Sequence, residues 1–140
     1  MYLFLLLTHL LAPPSPQTVT VSLNSSVAKA GDLHLAVYAT QEAFEAKDDL
    51  ITIVEPTTDG TMQVDVQLPA AGRYVLAAYH DLNGNGELDT NVFGIPKEPY
   101  GFNVEPPSKW RAPKFGELVA EFGEGRAATS EIILKKWKEY

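Results

Sequence analysis

TMQVDVQL, residues 61–68, alternates apolar and polar side chains along its whole length, with Met62, Val64, Val66 and Leu68 on one side and Gln63, Asp65 and Gln67 on the other. Successive side chains of an extended chain point to opposite faces, so a period of two marks a strand with one buried face. The same pattern recurs upstream at Val19, Val21 and Leu23, and again at Leu33, Leu35 and Val37. Further strands are expected at 50–54, 73–80, 117–122 and 127–134, separated by turn signals at 30–32, 58–60, 69–72 and 123–125. One short helix is expected over 40–47, with Thr40 as its N-cap. About seven short strands with no long amphipathic helix for parallel crossovers point to an all-β fold. The expectation is an antiparallel β-sandwich, immunoglobulin-like or transthyretin-like, with a small closed barrel as the alternative. Val21, Leu35, Val37, Val64, Val66, Leu76 and Ile132 are its expected core. One long irregular loop, 81–113, interrupts the spacing, and such segments are usually functional or disordered.

The chain has 140 residues, enough for one core and too few for two. The expected organisation is a signal peptide and linker over 1–16, a single domain over 17–136 and a tail over 137–140. A formal charge of −7 repels phosphate backbones and anionic lipid headgroups, so nucleic acid and membrane surfaces are poor partners. The basic residues Lys114, Arg126, Lys135, Lys136 and Lys138 are scattered or lie near the C-terminus. Cysteine is absent, which excludes disulfides, thiolate metal sites and Cys nucleophiles. Any metal must therefore be held by oxygen or histidine.

Residues 1–12, MYLFLLLTHLLA, form an apolar run shorter than the ~20 residues a spanning helix needs, but of the right length for the core of a signal peptide. Pro13, Pro14 and Pro16 follow at once and end any helix there. No Lys or Arg precedes the run, and Leu10 rather than a small residue lies two before Ala12. Export, to the periplasm or beyond, is the expectation that balances these signals.

Chemistry concentrates in DLNGNGELDTN, residues 81–91. Counted from Asp81, a calcium loop would place Asn83 at position 3, Asn85 at 5, Gly86 at the sharp turn, the Glu87 carbonyl at 7 and Asp89 at 9. A hard cation wants six to eight oxygens, and a curled backbone turns alternate positions inward. Position 12 is Val92, which cannot supply the usual bidentate carboxylate. The same Asn-Gly pairs also suit a plain tight turn. A second constellation sets Tyr100, Phe102 and Trp110 among Pro96, Pro99, Pro106, Pro107 and Pro113. Amphipathic rings on stiff backbone suit carbohydrate or peptide ligands, or else cap the end of the sandwich. His80 and Asp81 are neighbours on a strand and leave on opposite faces, which argues against a dyad. His34 reads as an ordinary surface histidine. Glu98 and Glu105 could pair as glycosidase carboxylates only if the fold brought them together across a cleft.

The stretch GRYVLAAYHDLNGNGELDTNVFGIPKEPYGFN, residues 72–103, resembles the most characteristic part of a bacterial family known as domain of unknown function 2141. Its marks are a Gly-x-Tyr strand, the Asn-Gly-rich loop and Gly-Ile-Pro-x-Glu-Pro-Tyr-Gly-Phe. The likeness extends over about 19–134 and lapses at 104–111, where VEPPSKWR replaces an Asn-, Arg- and Gly-rich segment. It implies an exported sandwich and leaves the activity open. The resulting expectation is a non-catalytic exported module with a weak calcium loop and an aromatic ligand surface. A purely structural envelope domain and a carboxylate-dependent glycan hydrolase are the alternatives. N-terminal sequencing of the protein from a periplasmic or culture fraction should start near residue 13, whereas an intact Met1 in the cytoplasmic fraction would refute export.

Overall fold

The computed structural model describes residues 11–125 and 128–140, so most of the expected signal peptide and the first residue of the strand expected over 127–134 lie outside the described residues. Among the described residues eight strands run in order: β1 (Gln17–Ser25), β2 (Gly31–Tyr38), β3 (Ile51–Thr57), β4 (Thr61–Leu68), β5 (Gly72–Asp81), β6 (Tyr100–Phe102), β7 (Ala120–Phe122) and β8 (Thr129–Leu134). Helix α1 (Gln41–Ala46) joins β2 to β3, α2 (Phe115–Leu118) precedes β7, and a 3-10 turn, Trp137–Glu139, follows β8. The strands form two sheets, β4-β1-β8 and β3-β2-β5-β6, with β7 also on β5. This is the all-β sandwich that the alternation implies. Its one departure from antiparallel pairing is β8, which runs parallel to β1.

The core lies between the sheets. Val19, Val21, Leu23, Val66, Leu68, Ile132 and Leu134 come from the first, and Leu33, Leu35, Val37, Tyr74, Leu76 and Ala78 from the second. Every residue expected in the core is there, Val64 as a partly buried neighbour. Each alternate residue faces out, so the outer face of the first sheet is polar: Thr18 donates to Gln67 at 3.0 Å and Thr20 to Asp65 at 2.6 Å.

α1 forms where Thr40 was expected to cap it, its Oγ1 accepting the Ala43 N–H at 3.1 Å. The strand expected over 117–122 is instead split. Glu117 belongs to α2, where its carboxylate accepts the Lys114 N–H, and only residues from Ala120 onward pair with β5. The irregular loop also holds a strand. Tyr100–Phe102 is too short to display alternation, yet it pairs with Tyr79, Ala78 and Ala77 of β5. Between β6 and β7 the edge of β5 is completed by Asn103, whose N–H bonds the Leu76 carbonyl at 3.0 Å while its Oδ1 accepts the Leu76 N–H at 2.8 Å.

The two sheets meet along one seam. Lys135, just past β8, bonds Tyr100 of β6 in both directions, N to O at 2.9 and 3.0 Å. Gly101 makes the contact possible, because a Cβ there would stand 2.4 Å from the Ile133 carbonyl oxygen. The 137–140 segment, expected as a tail, packs on this seam. Tyr140 donates its hydroxyl to the Tyr100 carbonyl at 2.6 Å, and their rings lie 5.0 Å apart. Gly101→Ala must push backbone against backbone, and overpacking of this kind costs about 1–3 kcal/mol. Urea unfolding should read that loss, and a variant as stable as the parent would mean that the seam is loose.

Candidate functional site

The C-terminal end of β5 delivers Tyr79, His80 and Asp81 to one end of the sandwich, where the 81–91 loop begins. Asp81 is fully buried, and its two carboxylate oxygens accept the N–H groups of Gly84 at 2.8 Å and Gly86 at 2.7 Å. Gly84 and Gly86 both have φ in the left-handed region, 72° and 78°, which the curl requires and glycine adopts without strain. Asn83 and Asn85 each accept the N–H two residues on, at 3.2 and 3.0 Å, in successive Asx turns. Their amide groups then donate to Asp89, Asn83 at 2.6 Å and Asn85 at 2.9 and 3.0 Å. Burial by itself would raise the Asp81 pKa. The N–H bonds of Gly86, Gly84 and Asn85, with His34 nearby, outweigh it and hold the group below its usual value.

Glu98 completes the loop from beneath. It is buried, and its carboxylate accepts the Leu82 N–H at 2.8 Å and the Asp89 N–H at 3.2 Å, clamping both ends of the turn. Glu105, its conjectured glycosidase partner, is exposed and pairs with Lys135 at 3.2 Å. The two carboxylates thus have separate structural partners. Among the described residues, no three His, Cys, Asp or Glu side chains converge as a metal site. A cation at this loop would depend on Asn oxygens and the backbone.

The loop connects to an aromatic row on the outer face of the larger sheet. Val54, His34, Tyr79 and Tyr100 are register neighbours across β3, β2, β5 and β6. Tyr79 stacks on His34 with centroids 4.4 Å apart and an interplanar angle of 14°, and it donates its hydroxyl to the Gly86 carbonyl at 2.9 Å. His34 also approaches Asp81, Nε2 to Oδ2 at 3.6 Å. Burial first, then the charges of Asp81, Glu98, Glu87 and Asp89, push the Tyr79 hydroxyl up to about 12. His34 is therefore a member of the row, not the ordinary surface histidine expected. His34 was legible as a surface residue, but nothing local marked it as stacked on Tyr79.

Tyr100 and Phe102 meet edge to face with centroids 6.3 Å apart. Trp110 lies apart from both. It is 78 % exposed and touches Trp137, 5.0 Å away at 86°. Trp137 donates to the Lys109 carbonyl, and the Lys109 ammonium sits 4.6 Å from the Trp137 ring and bonds the Tyr140 carbonyl oxygen. Trp110 thus connects to the row through Trp137, Lys109 and Tyr140.

The family model described as an uncharacterized protein conserved in bacteria (DUF2141) matches residues 21–130. The chain belongs to this family. No curated protein and no solved structure matches it. The DUF2141 match spans all of β5, the loop and β6, which build the geometry above, and ends two residues into β8.

His80 faces inward beneath the loop. It is fully buried, with Nδ1 2.9 Å from Ser25 Oγ. Its pKa is lowered, chiefly by burial, against smaller opposing effects of Glu98, Asp81 and the Lys29 backbone. The folded state thus holds a neutral imidazole, while the unfolded chain takes up a proton near the ordinary value of 6.5. The stability due to neutral His80 is complete above that value and is lost as pH falls from it towards the lowered folded pKa. Unfolding free energies from urea titrations at pH 7.5 and pH 5.5 should fall accordingly, and His80→Gln should flatten the slope. An NMR titration midpoint of His80 at or above 6.5 would contradict this.

Proposed function

We propose that the chain is an exported, non-catalytic binding module in which a weak calcium loop shapes an aromatic ligand surface. The observation that carries this reading is Tyr79, one residue that both stacks in the aromatic row and bonds the loop backbone at Gly86. Any change in loop curvature therefore bears directly on the row. Asp81, Asn83, Asn85, the Glu87 carbonyl and Asp89 are the proposed ligands, completed by water.

The hydrogen bonding is compatible with a cation and argues for low affinity. Each carboxylate or amide oxygen has two lone pairs, so an oxygen that accepts one N–H can still face an ion. Against this, the Asn83 and Asn85 amides that donate to Asp89 would have to turn away, and two charged side chains are few for a divalent cation. Affinity in the range of extracellular modules, ~10⁻⁴ to 10⁻³ M, follows from that balance. Such a site works only where calcium is abundant, which agrees with export. Tyr100 and Phe102 would present the ligand surface to a carbohydrate or peptide, with Trp110 at its outer margin.

Thermal melts in millimolar calcium and in chelator test this. At free calcium ten times the dissociation constant, linkage stabilises the fold by about 1.4 kcal/mol, a few degrees in Tm. Asp89→Ala should remove that increment and leave the calcium-free melt close to the parent, because Asp81 and Glu98 still hold the loop backbone. Superimposable parent melts would reduce the loop to a turn.

A further inference from the structure

The outer face of the smaller sheet carries a cavity of about 600 Å³ that the aromatic row does not use. Its floor is Ser22, on the central strand β1, and its walls are Gln63 and Thr61 of β4 and Thr129 and Glu131 of β8. Ser22 pairs with Gln63 on one side and Glu131 on the other, so a small residue between two long ones creates the depression. A second cavity, about 200 Å³, opens on the other side of Glu131 and runs over Ile133 to Phe102 and Tyr140 at the seam. Glu131 lines both and stands between them, so the two depressions adjoin across that side chain and are treated as one groove.

We infer that this groove binds an uncharged oligosaccharide. The statement deepens the reading of the chain as a binding module, but it centres on the outer face of the smaller sheet, meets the aromatic surface only at its Phe102 end, and needs no calcium. Three observations carry it. First, hydroxyl and carboxamide side chains dominate the larger cavity, and these groups both donate and accept, as sugar hydroxyls do. Second, among the described residues that line the groove the one cation, Lys135, is paired with Glu105 at 3.2 Å, and the chain carries −7 overall. Third, both edges of β1 are already paired, so a peptide could not add as a strand over the groove floor. What the polar part lacks, the seam supplies. Tyr140 is held by its hydroxyl bond to Tyr100 and by Lys135 5.1 Å from its ring, which gives a pre-ordered apolar surface at the groove end.

Titration of ¹⁵N-labelled full-length protein with cellohexaose, xylohexaose and chitohexaose, with oligogalacturonate as the anionic control, tests the inference. At least one neutral hexaose should bind with a millimolar or tighter Kd and shift the amides of Ser22, Gln63, Glu131 and Tyr140, equally in calcium and in chelator. Ser22→Arg, which fills the floor, should abolish binding. Gln63→Ala, a milder change at an exposed site, should weaken it about three- to tenfold, the value of one net hydrogen bond. Phe93→Ala, an exposed ring outside both cavities, should leave it unchanged. Absence of any binding by the neutral hexaoses, stronger binding of oligogalacturonate, or shifts confined to Tyr79, Tyr100 and Trp110 with Ser22→Arg unaffected would each overturn the assignment. The calcium melt stands or falls independently of these results.

Discussion

The backbone of β5 is paired along both edges, and the rest of the molecule is arranged around that requirement. One edge is served by β2 along seven residue pairs. The other has no single long partner: β7 covers Gly72 to Tyr74, Asn103 serves Leu76, and β6 covers Ala77 to Tyr79. An unpaired buried peptide group costs about 1–3 kcal/mol, so the three pieces must all be delivered to the same line. This is why a segment with little regular structure is nonetheless well defined. His80 continues the line, its N–H bonding the Pro99 carbonyl at 2.9 Å, and so fixes Glu98 directly under the loop.

The sandwich was legible from alternation because one-faced burial writes itself into a period of two. TMQVDVQL became β4 without revision, and the inward and outward residues of β1 and β2 fell as the pattern requires. The turn at 58–60 was equally plain, since Gly60 occupies a left-handed conformation, φ 82°, that Asp-Gly sequences favour. β6 was not legible, because three residues cannot display a period and Gly101 carries no side chain to pattern. The parallel pairing of β8 with β1 was hidden for another reason: strand patterning gives facing, not direction.

The site was legible in composition and opaque in geometry. The spacing of Asp81, Asn83, Asn85 and Asp89 announced a curled loop, and successive Asx turns make that curl. What the spacing could not convey was how Glu98 would be used. Read as a possible catalytic carboxylate, it is spent on two backbone N–H groups of the loop. The aromatic surface divided similarly. Tyr100 and Phe102 were found as a pair, while Trp110 went to Trp137, and His34 and Tyr79 joined the row through a cross-strand register that only folding establishes.

These facts bear on how tightly the loop would hold the proposed cation. A loop that waits unfolded for its metal gains order on binding and loses entropy with it. This one is already ordered by Asp81 and Glu98, which satisfy four backbone N–H groups between them. Pre-ordering removes most of the entropic cost of binding, but it also commits the carboxylates to hydrogen bonds that an ion must share. Asp89 is the exception, for among the described residues its oxygens accept from the exposed Asn83 and Asn85 amides, which rotate at little cost. The exchangeable part of the site is therefore its rim, and the floor is permanent. Because Tyr79 is tied to Gly86 on the permanent part, a cation at the rim would stiffen the aromatic row rather than rearrange it.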